Sequence, residues 1–204
     1  MNRFGKFILG LIILAGIALA TMVRLGSGRQ GPAEPVTPAP APSPPVAGQR
    51  AEATVTPSGL VVPVAGVQVA ELVDTFGDPR GGGTRGHGAL DIMAPAGTPV
   101  LAAEGGTVEK LFESVEGGHT LYVRSADRRF VFYYAHLQDY RAGLAEGDYV
   151  GKGTQIATVG ATGDADPTAP HLHFEVKRMG PDDTWYEGEG INPYPLLAGT
   201  PPRR

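Results

Sequence analysis

The sequence predicts a mostly β protein whose folded part is an antiparallel β-sheet domain. Gly and Pro contribute 30 and 19 of 204 residues, about twice their usual combined share, which argues against a helical bundle and for many turns. Short runs that alternate apolar and polar residues lie between Gly-rich segments, as expected for strands joined by hairpins. The predicted strands are Thr98–Ala102, Gly106–Phe112, His119–Arg124, Phe130–Ala135, Gln155–Val159 and His171–Val176.

The first 25 residues are predicted to direct the chain to a membrane. Arg3 and Lys6 precede an apolar run at residues 7–23, which would be about 26 Å long as a helix. That is slightly short of a hydrocarbon core of about 30 Å, and Ala18-Leu19-Ala20 has the small-x-small pattern of a signal-peptide cleavage site. Residues 1–25 are therefore expected to be either a signal anchor, with the inner membrane as partner, or a cleaved signal peptide.

A disordered Pro- and Ala-rich linker is expected at residues 26–57. Eight prolines and very few large apolar side chains lie in this stretch, which cannot bury enough apolar surface to fold. The folded domain is expected to span residues 58–197, with a flexible tail at 198–204. Within this domain, only Val69–Phe76 has the pattern of a short helix.

Composition excludes several classes of site and partner. The chain has no Cys, so disulfides, thiol catalysis and thiolate metal sites are ruled out. From Ser58 onward, 12 Lys and Arg stand against 19 Asp and Glu, a net charge of −7. Because a nucleic-acid binder needs a basic surface, nucleic acid is not an expected partner.

His87 and Asp91 form the first candidate pair, four residues apart. A straight strand would separate them by about 13 Å, too far for one metal ion. The surrounding Gly and Pro disfavour a helix, which would bring them close. The remaining arrangement is a bent loop in which Gly86 and Gly88 let the backbone fold around a ligand.

The motif PHLHFEV supplies a second pair, His171 and His173. Side chains alternate along a strand, so these two histidines and Glu175 share one face while the intervening apolar residues share the other. Two imidazoles on a polar face suit metal binding or acid–base chemistry, and a solvated pair is the alternative. Glu175 is expected to be a surface or structural residue, with contact to the histidine pair as the alternative, and His119 is expected to be structural.

The order of the histidine motifs resembles that of the lysostaphin-like (LytM-type) zinc metallopeptidases: His87-x-x-x-Asp91, then His136-Leu137 at a strand end, then His171-Leu172-His173. The stretches TFGDPR, DIMAPAGTPVLAAEGGTV, EGDYVGKGTQIATVGATG and HLHFEV also resemble this family, and together the motifs cover residues 60–179. One difference is that the family usually has Gly where this chain has Ala89, with Gly88 one place earlier.

This resemblance implies a LytM/lysostaphin-type, duplicated-hybrid-motif-like fold and a zinc endopeptidase that hydrolyses peptidoglycan stem or cross-link peptides. It implies His87, Asp91 and His173 as zinc ligands, and His136 and His171 as the catalytic histidines that do not bind the metal. An export segment followed by a linker fits a location in the cell envelope, periplasmic or extracytoplasmic, whether membrane-anchored or secreted.

Two other functions remain open at this point. The chain could be a non-catalytic LytM-type activator, with a cell-wall amidase or regulatory protein as partner, or it could apply the same zinc chemistry to a secreted protein. Because such activators typically lack the metal ligands, the complete set of three favours the enzyme.

Overall fold

The computed structural model describes residues 52–80 and 85–199, and nearly all regular elements in them are strands. The strands are β1 (Pro79–Arg80), β2 (Arg85–Gly86), β3 (Leu90–Met93), β4 (Pro99–Leu101), β5 (Gly106–Ser114), β6 (Gly118–Ser125), β7 (Phe130–Tyr140), β8 (Tyr149–Val150), β9 (Gln155–Val159), β10 (His171–Arg178) and β11 (Glu189–Ile191). Each of the six predicted strands overlaps one of these, so the predicted mostly β fold is confirmed.

The helical content is small and differs in detail from the prediction. The predicted helix at Val69–Phe76 is a single 3-10 turn, Val69–Glu71, because the backbone is already extended at Leu72. A helix that was not predicted, α1 (Pro193–Ala198), follows the last strand. Its start and end have clear sequence signals: the Asn192 side chain accepts the Tyr194 N–H, and a left-handed Gly follows the last turn.

Most of the predicted segments on either side of the domain lie outside the described residues. This applies to the apolar segment at 7–23, to residues 26–51 of the predicted linker and to residues 200–204 of the predicted tail. The last linker residues are described, and there Val55 pairs with Val61 while Thr56 is buried. Within the described part of the chain, no helix has the length and apolar character needed to cross a membrane.

A nine-stranded antiparallel sheet forms the body of the domain. Its main order is β11-β10-β7-β6-β5-β8, and β1 and β2 form a separate two-stranded ribbon. On the side of β10 away from β7, β3 pairs with the first half of β10 and β11 with the second half. β9 pairs with β4 and with the end of β7. β10 therefore has neighbours along both edges, and its exposed face can be covered only by side chains and loops.

The main core lies on one face of this sheet, and a smaller cluster of Tyr122, Val131 and Met179 lies on the other. Along β10, Leu172, Phe174 and Val176 are fully buried, whereas the residues between them are partly exposed, which confirms the predicted alternation. Leu90 and Ile92 of β3 belong to the same hydrophobic cluster. The opposite face of β10, with the histidine pair, is thereby directed away from the core.

Candidate metal centre

Strand register brings the three predicted ligands together. In the antiparallel pairing of β3 with β10, Asp91 lies directly opposite His173. His87 directly follows β2, where its N–H donates to the Asp78 carbonyl and its own carbonyl accepts from the Gly77 N–H, and the chain then bends at Ala89 before β3. The bend returns the imidazole of His87 toward Asp91, as the predicted loop requires.

The three ligand atoms form a compact triangle. His87 Nε2 lies 3.0 Å from Asp91 Oδ1, His173 Nδ1 lies 3.2 Å from the same oxygen, and the two nitrogens are 3.2 Å apart. Ligands of a tetrahedral zinc ion, at bond lengths of 2.0–2.1 Å, are separated by about 3.3 Å. The described residues thus offer two imidazoles and one carboxylate at the spacing of a metal site, and these three side chains could hold a metal ion.

The second nitrogen of each histidine ligand is held by an oxygen acceptor. His87 Nδ1 lies 2.9 Å from the Thr75 carbonyl, which can only accept, so Nδ1 carries the proton and Nε2 keeps its lone pair. His173 Nε2 lies 3.2 Å from Glu175 Oε1, which leaves Nδ1 to face Asp91. Such outer hydrogen bonds are typical of metal-ligating histidines because they set the tautomer and the ring orientation.

The electrostatics at this point favour a cation. Burial raises the pKa of the Asp91 carboxyl, but hydrogen bonds from His173 and His87 outweigh burial and hold that pKa far below its usual range. Burial lowers the pKa of His173, yet its hydrogen bonds to Asp91 and Glu175 prevail and raise the pKa to about 9. Two carboxylates therefore stabilise one positive charge between them, and a divalent ion would take the place of that proton.

The two predicted catalytic histidines, His136 and His171, lie beside the triangle. His171 is two residues from His173 on β10, with its Nε2 3.9 Å from Asp91 Oδ1. The ring of His136 is 4.9 Å from that of His171 and 5.5 Å from that of His173. The Nδ1 atoms of His136 and His171 donate to the Thr162 and Ala169 carbonyls, at 2.8 and 2.9 Å. In the neutral rings Nε2 is then the atom with the free lone pair.

A local distortion of β7 directs His136 into the groove. Ala135 and His136 both line the groove, whereas Tyr134 and Leu137 on either side are in the core. Two consecutive groove residues break the alternation of a strand, and the break occurs at His136, whose φ of 57° is left-handed. A left-handed non-Gly residue costs about 1–2 kcal/mol. Burial keeps the pKa of His136 below its ordinary value, although the Thr162 carbonyl acts in the opposite direction.

These side chains open into a groove of about 610 Å³. Its walls include Tyr133 beside the metal triangle and the acidic residues Glu116, Asp164 and Asp166. All five predicted site residues line this groove, whereas His119 does not. His119 Nδ1 instead donates to the Gln138 carbonyl, at 3.1 Å, and His119 Nε2 lies 3.6 Å from Glu113 Oε1.

Some functional contacts were not predicted from the sequence. The acceptors that orient His87, His136 and His171 are main-chain carbonyls. Every residue has such a carbonyl, so the amino-acid sequence does not indicate which ones are used. Glu175 was expected to be a surface or structural residue with contact to the histidine pair as the alternative, and it lies 3.2 Å from His173 Nε2. In that case the signal was present, because Glu175 shares the strand face of the histidine pair.

Comparison with known proteins places this geometry in a family. Residues 85–193 match the model of peptidase family M23. The chain belongs to this family. Among characterised relatives, the peptidoglycan DD-endopeptidase ShyC of Vibrio cholerae is 38% identical over 97 residues, 48% of this chain and 21% of that protein. The L-Ala--D-Glu endopeptidase of Bacillus subtilis is 35% identical over 129 residues, 60% of this chain and 38% of that protein.

The M23 fold of the chain also has solved counterparts. The catalytic domain of lysostaphin from Staphylococcus simulans is 29% identical, with a TM-score of 0.51 over 62% of this chain and 90% of that domain. The predicted lysostaphin-like fold is thus confirmed. The chain spans only about a fifth to two fifths of the length of the two curated relatives, from Vibrio cholerae and Bacillus subtilis.

Proposed function

We propose that this M23 protein is a zinc-dependent endopeptidase of the cell envelope that hydrolyses peptide bonds in peptidoglycan stem or cross-link peptides. The observation that carries the proposal is the triangle of His87 Nε2, Asp91 Oδ1 and His173 Nδ1 at 3.0–3.2 Å, with two further histidines in the same groove. The relatives named for DD-endopeptidase and L-Ala--D-Glu endopeptidase activity support the substrate class.

In this proposal, His87, Asp91 and His173 hold the zinc ion. Two nitrogens and one carboxylate oxygen from the protein, facing an open groove, are the usual ligand set of catalytic rather than structural zinc. The chemistry that a bound zinc ion supplies is that of a Lewis acid, which polarises a peptide carbonyl and lowers the pKa of a water molecule. Thr75 and Glu175 keep the two imidazoles in the tautomers that present a lone pair to the metal.

His136 and His171 handle protons in this proposal. Each imidazole donates its Nδ1–H to a main-chain carbonyl, so Nε2 is the atom that accepts a proton from water or returns it to the leaving amine. Because the pKa of His136 is lowered, that ring is neutral at neutral pH and can act as a base. His136 comes from β7 and His171 from β10, so the two rings approach the reacting bond from adjacent strands.

The domain organisation proposed from the sequence fits this activity. A membrane-directing segment at 1–25 and a Pro-rich linker at 26–57 would place the catalytic domain at the cell wall, and at about 3.1 Å per residue the linker would reach close to 100 Å. The activator function is less favoured because all three ligand side chains are present and suitably spaced.

The decisive experiment compares the purified chain with three variants on isolated peptidoglycan. Wild type should carry one zinc ion and release soluble fragments with new amino termini. His173→Ala should lose both zinc and activity, whereas His136→Ala should keep zinc and lose about 10²- to 10⁴-fold in kcat, the usual contribution of a general acid–base. His119→Ala, a histidine outside the groove, is the matched control.

Two outcomes would contradict the proposal. If His173→Ala digests peptidoglycan as fast as wild type, the zinc chemistry is wrong. If wild type is inert alone but accelerates a cell-wall amidase, the chain is an activator. Mass spectrometry of the fragments identifies the cleaved bond.

A further inference from the structure

The hydroxyl of Thr162 links two neighbouring strands of the sheet. His119 of β6 and Leu137 of β7 are opposite each other in the sheet. The His119 N–H donates to Thr162 Oγ1 at 3.0 Å, and Thr162 Oγ1 donates to the Leu137 carbonyl at 2.8 Å. The hydroxyl thus bridges a donor and an acceptor that belong to two neighbouring strands, in the manner of an inserted water molecule.

This bridge lies at the distortion that aims His136 into the groove. Leu137 directly follows His136, and the pairing of β6 with β7 shifts register between His119 and Leu121. The main chain of His136 is tied nearby, since its N–H donates to the Gly117 carbonyl at 2.8 Å. The hydroxyl that bridges the two strands therefore lies next to the left-handed residue His136.

The same residue holds the imidazole. The Thr162 carbonyl accepts the Nδ1–H of His136 at 2.8 Å. Thr162 therefore contacts His136 through its main chain and supports the backbone after His136 through its side chain. A movement of Thr162 would change the position of the ring and the strand geometry together.

Two glycines make this arrangement possible. A Cβ on Gly118 would come within 2.2 Å of Thr162 Oγ1, and a Cβ on Gly163 within 2.1 Å of the Glu116 carbonyl. Both glycines have positive φ, and the Asp164 N–H donates to the same Glu116 carbonyl at 2.9 Å. The turn between β5 and β6 and the loop that carries Thr162 are thus in main-chain contact, which fixes Thr162 relative to His136.

We propose that Thr162 is a positioning residue for His136. The Thr162 hydroxyl maintains the distortion of β7, and this keeps the His136 ring hydrogen-bonded to the Thr162 carbonyl in the geometry that catalysis needs. This inference rests on the proposed function insofar as His136 is the catalytic base. It does not concern the metal ligands, which lie on β3, on β10 and in the bend before β3.

Replacing the hydroxyl by a methyl group should collapse the bridge. Thr162→Val keeps the shape of the side chain but leaves the His119 N–H and the Leu137 carbonyl without their shared partner. The least costly relief is for those two groups to bond directly, which brings β6 and β7 closer and turns His136 away. Since misplacing a catalytic group by about 1 Å can cost 10²-fold in rate, we expect kcat to fall about 10- to 100-fold.

The experiment compares Thr162→Val, Thr162→Ser and Thr158→Val in the zinc-loaded chain, with Thr162→Ala as a second variant that lacks the hydroxyl. Thr158 is the matched control, because its hydroxyl also contacts β7, through the main chain of Asp139. Thr162→Val should lower kcat with KM and zinc content unchanged, whereas Thr162→Ser and Thr158→Val should stay within about twofold of wild type. Two-bond ¹H–¹⁵N NMR of the imidazoles should show His136 protonated at Nδ1 in wild type and Thr162→Ser, and a mixture of tautomers in Thr162→Val.

The inference is overturned if Thr162→Val keeps wild-type kcat and the wild-type His136 signal. It is also overturned if Thr162→Val loses zinc together with activity, or if Thr162→Ser is as impaired as Thr162→Val. If Thr162→Val and Thr162→Ala both fail to fold, the hydroxyl is only structural and the inference is overturned as well. An inactive wild type would refute the proposed function instead, and the NMR comparison would still decide the role of Thr162.

Discussion

Removing the metal should lower the melting temperature of the chain without unfolding it at room temperature. The three ligand atoms already lie 3.0–3.2 Å apart, so metal binding needs little rearrangement. Without metal, protonated His173 remains hydrogen-bonded to the Asp91 carboxylate, so no isolated charge is left buried. The metal-free fold is therefore expected to persist with reduced stability.

The size of the effect follows from mass action. A ligand present at 100 times its Kd stabilises the folded state by about 2.7 kcal/mol, and each further tenfold increase adds about 1.4 kcal/mol. For a domain of this size, 1 kcal/mol corresponds to roughly 4 °C in melting temperature. Zinc at 100 Kd should therefore raise the melting temperature of the chelated chain by about 10 °C, and each decade beyond by about 5 °C.

Thermal unfolding followed by circular dichroism, over a buffered range of free zinc, measures this slope. His173→Ala removes one ligand and should abolish the shift, whereas His119→Ala should show the wild-type slope because that ring lies outside the groove. A melting temperature that is independent of zinc across two decades, or an equal shift in His173→Ala, would refute the assignment of these side chains as the metal site.

Two further predictions concern a carboxylate at the metal site and a buried hydroxyl in the core. Glu175→Ala should weaken zinc binding about tenfold, because His173 loses the carboxylate that holds its Nε2–H. The control, Glu113→Ala, removes a carboxylate beside His119 and should leave zinc affinity unchanged. Competition with a chromogenic chelator measures both affinities, and equal affinities in the two variants would contradict the role of Glu175. Tyr134→Phe should lower the free energy of unfolding by about 1–3 kcal/mol in urea denaturation, because a buried main-chain N–H loses its acceptor, with zinc affinity unchanged. A loss below about 0.5 kcal/mol would show that this hydrogen bond is replaced.

The strands could be predicted from the sequence because their apolar alternation and their turns are local. The predicted bounds of Gln155–Val159 are those of β9. The strand predicted at Phe130–Ala135 continues to Tyr140, because left-handed His136 bends the chain without ending the strand. The residue type of His136 does not predict this left-handed conformation. The conformation depends on contacts with Gly117 and Thr162, which lie in distant parts of the chain.

The candidate site was predictable to the level of side chains and no further. The five predicted residues meet in one groove, but spacing along the chain could not show how His87 and Asp91 approach one another or which tautomer each histidine adopts. Tautomers are set here by the carbonyls of Thr75, Thr162 and Ala169. Main-chain acceptors are available at every position, so only the folded structure selects them.

The metal geometry and the hydrophobic core depend on the same strand register. Asp91 lies opposite His173 because Leu90 and Ile92 of β3, and Leu172 and Phe174 of β10, all face the core. A slip of one residue would place apolar side chains in the groove and polar ones in the core, since side chains alternate with a period of two. The burial free energy of the apolar residues therefore resists the one-residue slips that would turn the carboxylate and the imidazole to opposite faces. On this reasoning the triangle is preformed by packing, and zinc binding adds to a geometry that the core already enforces.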